Sequence, residues 1–160
     1  MLSFRIMAPE LPPHGVTFLD HTADVGLRAR ASTPESLFRR AATGTLALVE
    51  GDEEPDGVRG REARPDASHA GARRVVVLEA DDLPTLLRAW LREVLWWHEV
   101  EGLALRQVRF RALEPVRLEA EVTLAPPPGP PVREIKGVTL HGLEVVEEAG
   151  EWRAQVIFDV

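Results

Sequence analysis

The stretch DVGLRARASTPESLFRR, residues 24 to 40, changes its hydrophobic period abruptly. Apolar and polar residues alternate over its first eight positions, which predicts a strand with one buried face. Ser32 or Thr33 can then cap a helix whose first turn accepts Pro34. Apolar residues recur at helical spacing from there until Gly51, which is typical of a helix end. A strand leading directly into an amphipathic helix indicates a mixed fold.

The rest of the chain adds a second helix and more strands. RRVVVLEA (73–80) predicts a buried strand, and DDLPTLLRAWLREVLWWHEVEG (81–102) predicts a second amphipathic helix. Alternating patterns predict strands in 103–124 and 143–160, whereas the proline-rich run at 125–131 cannot lie inside a sheet. We therefore expect an α+β two-layer sandwich, with two helices packed on one face of a mostly antiparallel β-sheet.

The 160 residues suit a single domain. Residues 1–15 are proline-rich and aperiodic, so we expect a disordered or loosely packed extension before a domain at 16–160, with the native start at Met1 or Met7. A charged, Gly- and Pro-rich segment follows the first helix. It predicts a long surface loop with one edge strand near residues 58–63.

Composition excludes several classes of function. A formal net charge of −7 disfavours strong direct nucleic-acid binding, because that binding depends on neutralising phosphates. The chain has no cysteine, so disulfides, thiolate metal sites and cysteine nucleophiles are excluded, and any metal would need oxygen or imidazole ligands. No hydrophobic run of spanning length or signal-like start is present, so we expect a cytoplasmic protein without membrane association.

The last strand places carboxylates at one end of the sheet. Asp159 falls on the polar face of that strand, and the α-carboxylate of Val160 comes one residue later. Pairing with the strand that begins at Asp24 would add a third carboxylate, and such a cluster suits calcium, magnesium or manganese. Aspartates at strand ends are also common turn formers, so the spacing alone leaves a purely structural role open.

Several ordered blocks together resemble the archease family. They are DHTADVG (20–26), PESLFRRAATG (34–44), LPTLLRAWLREVL (83–95), EIKGVTLHGLEV (134–145) and the terminal W-x-A-x-V-I-x-D-V pattern. The resemblance runs from about Thr17 to Val160.

The resemblance implies an accessory protein for an RtcB-type tRNA-splicing RNA ligase, a manganese- and GTP-dependent enzyme. Such a protein is an activator and not an enzyme itself: it promotes guanylylation of the ligase and multiple turnover, and reaches tRNA only through the ligase. The resemblance also implies a divalent-cation cofactor, calcium first and magnesium or manganese as alternatives. The metal ligands carry over to Asp24, Asp159 and Val160.

Three further residues of these blocks are candidates for supporting the metal ligands or contacting the partner: His21, Lys136 and His141. A histidine beside a strand is more often a hydrogen-bonded structural residue. Leu140 stands where the family usually has an aromatic residue, which puts a stacking or packing role at that position in doubt.

Two other functions remain open from the sequence. A chaperone-like protein-binding module would act through apolar surface and would not depend on Asp24 or Asp159. A metal-dependent hydrolase would use the carboxylates to activate water, but the chain lacks a histidine-rich ligand set or a nucleophile motif.

Overall fold

The structure is a computed structural model that describes residues 15–20, 24–51 and 71–160. The predicted N-terminal extension, His21 and the predicted edge strand near 58–63 lie outside the described residues, apart from Gly15, which opens the first strand. The described elements, in chain order, are β1 (Gly15–Asp20), β2 (Asp24–Ala31), α1 (Pro34–Glu50), β3 (Ala72–Glu79), α2 (Leu83–Trp96), a π-helical turn (Trp97–Glu101), β4 (Ala104–Glu114), β5 (Arg117–Ala125), β6 (Gly137–Val138), β7 (Glu144–Glu148) and β8 (Glu151–Asp159).

Both helices begin and end where local chemistry favours it. The Thr33 hydroxyl accepts the Ser36 backbone N–H at 3.1 Å and caps α1, which ends at Gly51 with a φ of 78°. The Asp82 carboxylate accepts the Thr85 N–H at 2.8 Å and caps α2. Hydrogen bonding from the Thr85 side chain, and then from this N–H, holds the pKa of Asp82 below its ordinary value.

The α+β class is confirmed, and the strands divide into two antiparallel sheets. In the first sheet β8 is central: β2 pairs with one side of it, β1 pairs with β2, and β6 and β7 share the other side. The second sheet has the order β3–β5–β4. The proline-rich run at 125–131 separates the sheets in sequence, because prolines lack the N–H that would continue the β5 ladder.

The core lies between the helices and the inner faces of the sheets. Trp90 of α2 is completely buried and donates its indole N–H to the carbonyl of Phe38 on α1 at 3.1 Å. The Trp90 ring also meets Trp97 and Phe110 edge to face, with centroids 6.0 and 5.5 Å apart. One buried ring therefore ties together both helices and β4.

β3 corrects the prediction of a buried strand. It is an edge strand with one covered face, and Val75 and Val77 are 54% and 49% exposed. The adjacent tryptophans at the end of α2 and the start of the π-helical turn face opposite ways, since Trp97 is buried and Trp96 is 56% exposed. No helix among the described residues is long and apolar enough to cross a membrane.

Candidate functional site

The strand ends that carry Asp24 and Asp159 meet in the first sheet. β2 and β8 are antiparallel neighbours, and their register places Asp24 directly opposite Asp159. The alternation that the sequence predicts for β8 is confirmed: Ala154, Val156 and Phe158 are buried, and Asp159 is exposed. Two residues 135 positions apart in sequence thus become cross-strand neighbours.

The backbone hydrogen bonds on the other side of β8 show which type of cross-strand pair Asp24 and Asp159 form. The carbonyl of Asp159 accepts the Lys136 N–H at 2.8 Å, and the carbonyl of Ile157 accepts the Thr139 N–H at 2.9 Å. The Asp159 backbone therefore points toward β6 and away from β2. Asp24 and Asp159 form a non-hydrogen-bonded pair, the arrangement in which facing residues lie closest, with Cα atoms about 4.5 Å apart.

The surroundings of the pair suit a cation. Asp24 is half-buried and Asp159 exposed, and no side chain of the described ranges forms an ion pair or hydrogen bond with either carboxylate. Two facing carboxylates without an ion-pair partner among the described side chains are hard oxygen donors of the kind that calcium, magnesium and manganese bind. Val160 follows directly and is half-buried, with its side chain packed against the core, so the chain is held in place at this point.

Other candidate residues lie near the pair in different ways. Lys136 is exposed, and its backbone hydrogen bond fixes it beside Asp159. His141 is exposed in the turn after β6, where its carbonyl accepts the Thr139 hydroxyl at 3.3 Å. Within the ranges that the structure describes, no group of three His, Cys, Asp or Glu side chains is positioned to hold a metal. The predicted ligand set has two side chains and one main-chain carboxylate.

A surface groove of about 420 Å³ opens next to the pair. Lys136 and Gly137 line one side. Lys136 donates its backbone N–H to the Asp159 carbonyl, and Gly137 lies opposite Asp159 in the strand register. The apolar wall includes Trp96 and Leu78. The segment that lines this side of the groove is therefore the one that lies next to Asp159.

Glu99, from the π-helical turn, also lines this groove. Partial burial raises the pKa of its carboxyl, and repulsion from Glu134 raises it further, while His98 acts in the opposite direction. The groove thus contains a carboxyl group whose surroundings disfavour its charged form.

The sequence did not predict the groove. Its lining comes from β3, α2 and the segment before β6, three parts of the chain with no shared pattern. The one available signal was the tryptophan pair at 96–97, because adjacent residues of a helix cannot both face the core.

Comparison with known proteins places this chain in a family. The family model described as "Archease protein family (MTH1598/TM1083)" matches residues 17–160. The chain is 30% identical to the protein archease of Methanosarcina barkeri over 151 residues, which are 89% of this chain and 94% of that protein. It is 31% identical to the protein archease of Methanopyrus kandleri over 148 residues, with coverages of 89% and 96%.

Two solved structures resemble the fold. The solution structure of Methanobacterium thermoautotrophicum protein 1598 matches with a TM-score of 0.63 and 25% identity, over 91% of this chain and 99% of that one. The crystal structure of an archease, described as a possible chaperone, from Thermotoga maritima matches with a TM-score of 0.56 and 16% identity, over 89% and 94% of the two chains. The family match over residues 17–160 and the relatives' coverage together show that this chain belongs to the archease family.

Proposed function

We propose that this protein is an accessory factor that activates an RtcB-type, GTP-dependent RNA ligase, promoting ligase guanylylation and multiple turnover in tRNA splicing. Membership of the archease family supports the proposal. The observation that carries it is the cross-strand pair of Asp24 and Asp159, which has no ion-pair partner among the described side chains.

The site we propose holds a divalent cation between Asp24, Asp159 and the α-carboxylate of Val160. Calcium is the first choice and magnesium or manganese the alternatives. Three carboxylates supply three oxygens if each binds through one atom and six if each binds through both, against the about six to eight that calcium takes. The remaining positions would be filled by water or by oxygens of a partner, which suits a site that works against another molecule's phosphates.

The role of this chain is positional. When bound, the cation would supply positive charge to phosphate oxygens in the ligase active site. Asp24 and Asp159 fix its place at the end of two paired strands, and Lys136, the only lysine of the chain, adds a second positive charge beside them. The ligase supplies the nucleophile and carries out the chemistry, and tRNA contacts this acidic chain only through the ligase.

Two measurements test separate parts of the proposal. Calcium binding to the isolated chain, followed by calorimetry, tests the metal site. Single-turnover guanylylation of the cognate ligase with GTP and manganese tests activation. Both compare wild type with Asp24→Asn, Asp159→Asn and the control Asp81→Asn, which neutralises an exposed aspartate in a different part of the fold.

We expect wild type and Asp81→Asn to bind calcium and accelerate guanylylation, and the other two variants to lose both. If wild type does not affect the ligase, the activator role is wrong even if calcium binds. If Asp24→Asn and Asp159→Asn activate fully, the carboxylate site is wrong. Phosphate-ester hydrolysis by the chain alone would instead favour the metal-dependent hydrolase.

A chaperone-like role is the second candidate, and exposed apolar side chains favour it. Trp96 and Val100 are 56% and 58% exposed at the end of α2, and Leu140 is 65% exposed in the turn after β6. In this case Trp96→Ser would weaken suppression of client aggregation, while Asp159→Asn would not. The opposite result would remove this candidate.

A further inference from the structure

β3 lies at one edge of the second sheet as the structure describes it, and it lacks three features that commonly protect edge strands: bulges, prolines and lysines. It pairs with β5 on one side, and no strand within the described ranges pairs with the other. Its register with β5 is unbroken over eight residues, and it contains neither proline nor lysine. The opposite edge, β4, has two register irregularities, at Leu105/Gln107 and Phe110/Ala112. Bulges, prolines and lysines normally prevent edge strands from pairing, so among the strands that the structure describes β3 is the edge better able to accept another strand.

The open edge of β3 presents backbone groups and apolar side chains from the same residues. The N–H of Ala80, the residue after β3, donates to the Val116 carbonyl at 3.0 Å, so even-numbered residues direct their backbone toward β5. Because this direction alternates, the N–H and C=O groups of Val75 and Val77 point to the open edge. Their side chains lie on the exposed face of the sheet, 54% and 49% accessible.

We propose that two copies of this chain associate through β3, antiparallel, about a two-fold axis at Val76. In this register Val75 of one copy lies opposite Val77 of the other, and their open backbone groups form the inter-strand hydrogen bonds. Arg73 then lies opposite Glu79 of the second copy. By symmetry each contact occurs twice, as an isologous interface requires.

Charge complementarity selects this register over its neighbours. A centre at Val75 or at Val77 places Arg73 or Glu79 opposite a valine, whereas the centre at Val76 matches both charged residues. Arg73 is exposed and has no ion pair to a residue in the described ranges, and the ion pair of Glu79 with Arg117 is long, at 4.0 Å. Both side chains are therefore available to a second copy.

The residues on the covered face of β3 are also compatible with such a dimer. Arg74, on the covered face, forms an ion pair with Glu101 within its own chain, so it does not compete at the open edge. Val76 of one copy would lie opposite Val76 of the other on this covered face. The three-stranded sheets of the two copies would join into one sheet of six strands. Val75 and Val77 of both copies would form a row of four half-exposed valines on its outer face.

Sedimentation equilibrium over a wide concentration range tests the proposal. Wild type is expected to dimerise. Arg73→Glu and Glu79→Arg should each weaken the dimer by roughly tenfold or more, because each places like charges opposite one another twice. The double variant Arg73→Glu/Glu79→Arg should regain the wild-type association. Arg109→Glu, the same charge change on the far edge strand β4, is the control and should leave association unchanged.

A backbone variant tests the same edge without a charge change. Val75→Pro removes an N–H that points to the open edge, where a monomer tolerates proline, and it should abolish association while the circular dichroism spectrum stays native. A wild type that remains monomeric at every concentration overturns the proposal. The open edge would then be available to a strand of another protein. A dimer unaffected by the single charge variants, or not restored in the double variant, overturns it as well.

Discussion

Asp24 and Asp159 face each other as a non-hydrogen-bonded pair across β2 and β8, and no side chain in the described ranges neutralises either. Facing like charges destabilise a sheet by about 0.2–1 kcal/mol. Asp159→Asn should therefore raise the free energy of unfolding of the metal-free protein by a few tenths of a kcal/mol. Urea denaturation in the presence of a chelator measures this change.

Calcium should make wild type more stable than Asp159→Asn, because a cation that binds only the folded state stabilises it. Added calcium should raise the Tm of wild type and of Asp81→Asn, and leave the Tm of Asp159→Asn unchanged. Equal Tm shifts in all three proteins would contradict a calcium site at this pair.

Trp90 is the residue whose loss should be most costly in the core. Trp90→Phe removes the indole hydrogen bond to the Phe38 carbonyl and leaves a cavity in the core. We expect a loss of about 2–4 kcal/mol in the free energy of unfolding, measured in urea. Trp96→Phe, at the exposed neighbour, should stay within about 0.5 kcal/mol of wild type. Similar losses for both variants would contradict the described packing.

Gly44 lies inside α1, where alanine would ordinarily be favourable by about 1 kcal/mol. A Cβ at this position would come within 2.3 Å of Leu27 Cδ1 and 2.8 Å of Val16 Cγ1. Leu27 is completely buried and cannot move aside freely. Gly44→Ala should therefore destabilise the protein by about 1–3 kcal/mol, as overpacking does, whereas Thr43→Ala should not. Thermal unfolding distinguishes the outcomes, and a stabilised Gly44→Ala would show that β2 and α1 pack more loosely.

Glu99 gives a pH-dependent prediction. Burial and then repulsion from Glu134 raise its pKa above the ordinary 4.5, so the folded state holds this proton more tightly than the unfolded state. Stability attributable to Glu99 therefore falls as pH rises from 4.5 through the folded pKa. Glu99→Gln cannot ionise, so its Tm should exceed that of wild type at pH 7, and the difference should vanish below pH 4.5.

The control for this prediction is Glu114→Gln, at the exposed end of β4. It should show little difference from wild type at either pH. A Tm gain for Glu99→Gln that persists in acid would mean that the effect comes from packing and not from the carboxylate charge.

The spacing of the apolar residues in the sequence predicted much of the fold. The alternation in β2 and β8 predicted which face is buried, and parity alone put Asp159 on the polar face. Capping chemistry predicted the start of α1 within one residue, with Thr33 as the cap in the structure. These features depend on neighbours within a few positions, so a single sequence contains them.

The features that the sequence did not predict depend on distant pairings. Three consecutive valines read the same in a strand covered on both faces and in a strand covered on one, and within the described residues the outer face of β3 has no layer over Val75 and Val77. The groove likewise needs Leu78, Trp96 and Lys136 to meet. Whether calcium binds at the aspartate pair stays a prediction, because the side chains present supply only part of a coordination shell.

The central position of β8 in the first sheet affects the order in which the protein can assemble during synthesis. β1 and β2 leave the ribosome before the other described strands, whereas β8, which pairs with β2, β6 and β7, follows all of them in the chain. Until then the edge of β2 stays unpaired, and contacts of such long sequence separation form slowly. The aspartate pair is therefore completed only after the whole sheet has closed, so a nascent or shortened chain cannot present it to a partner.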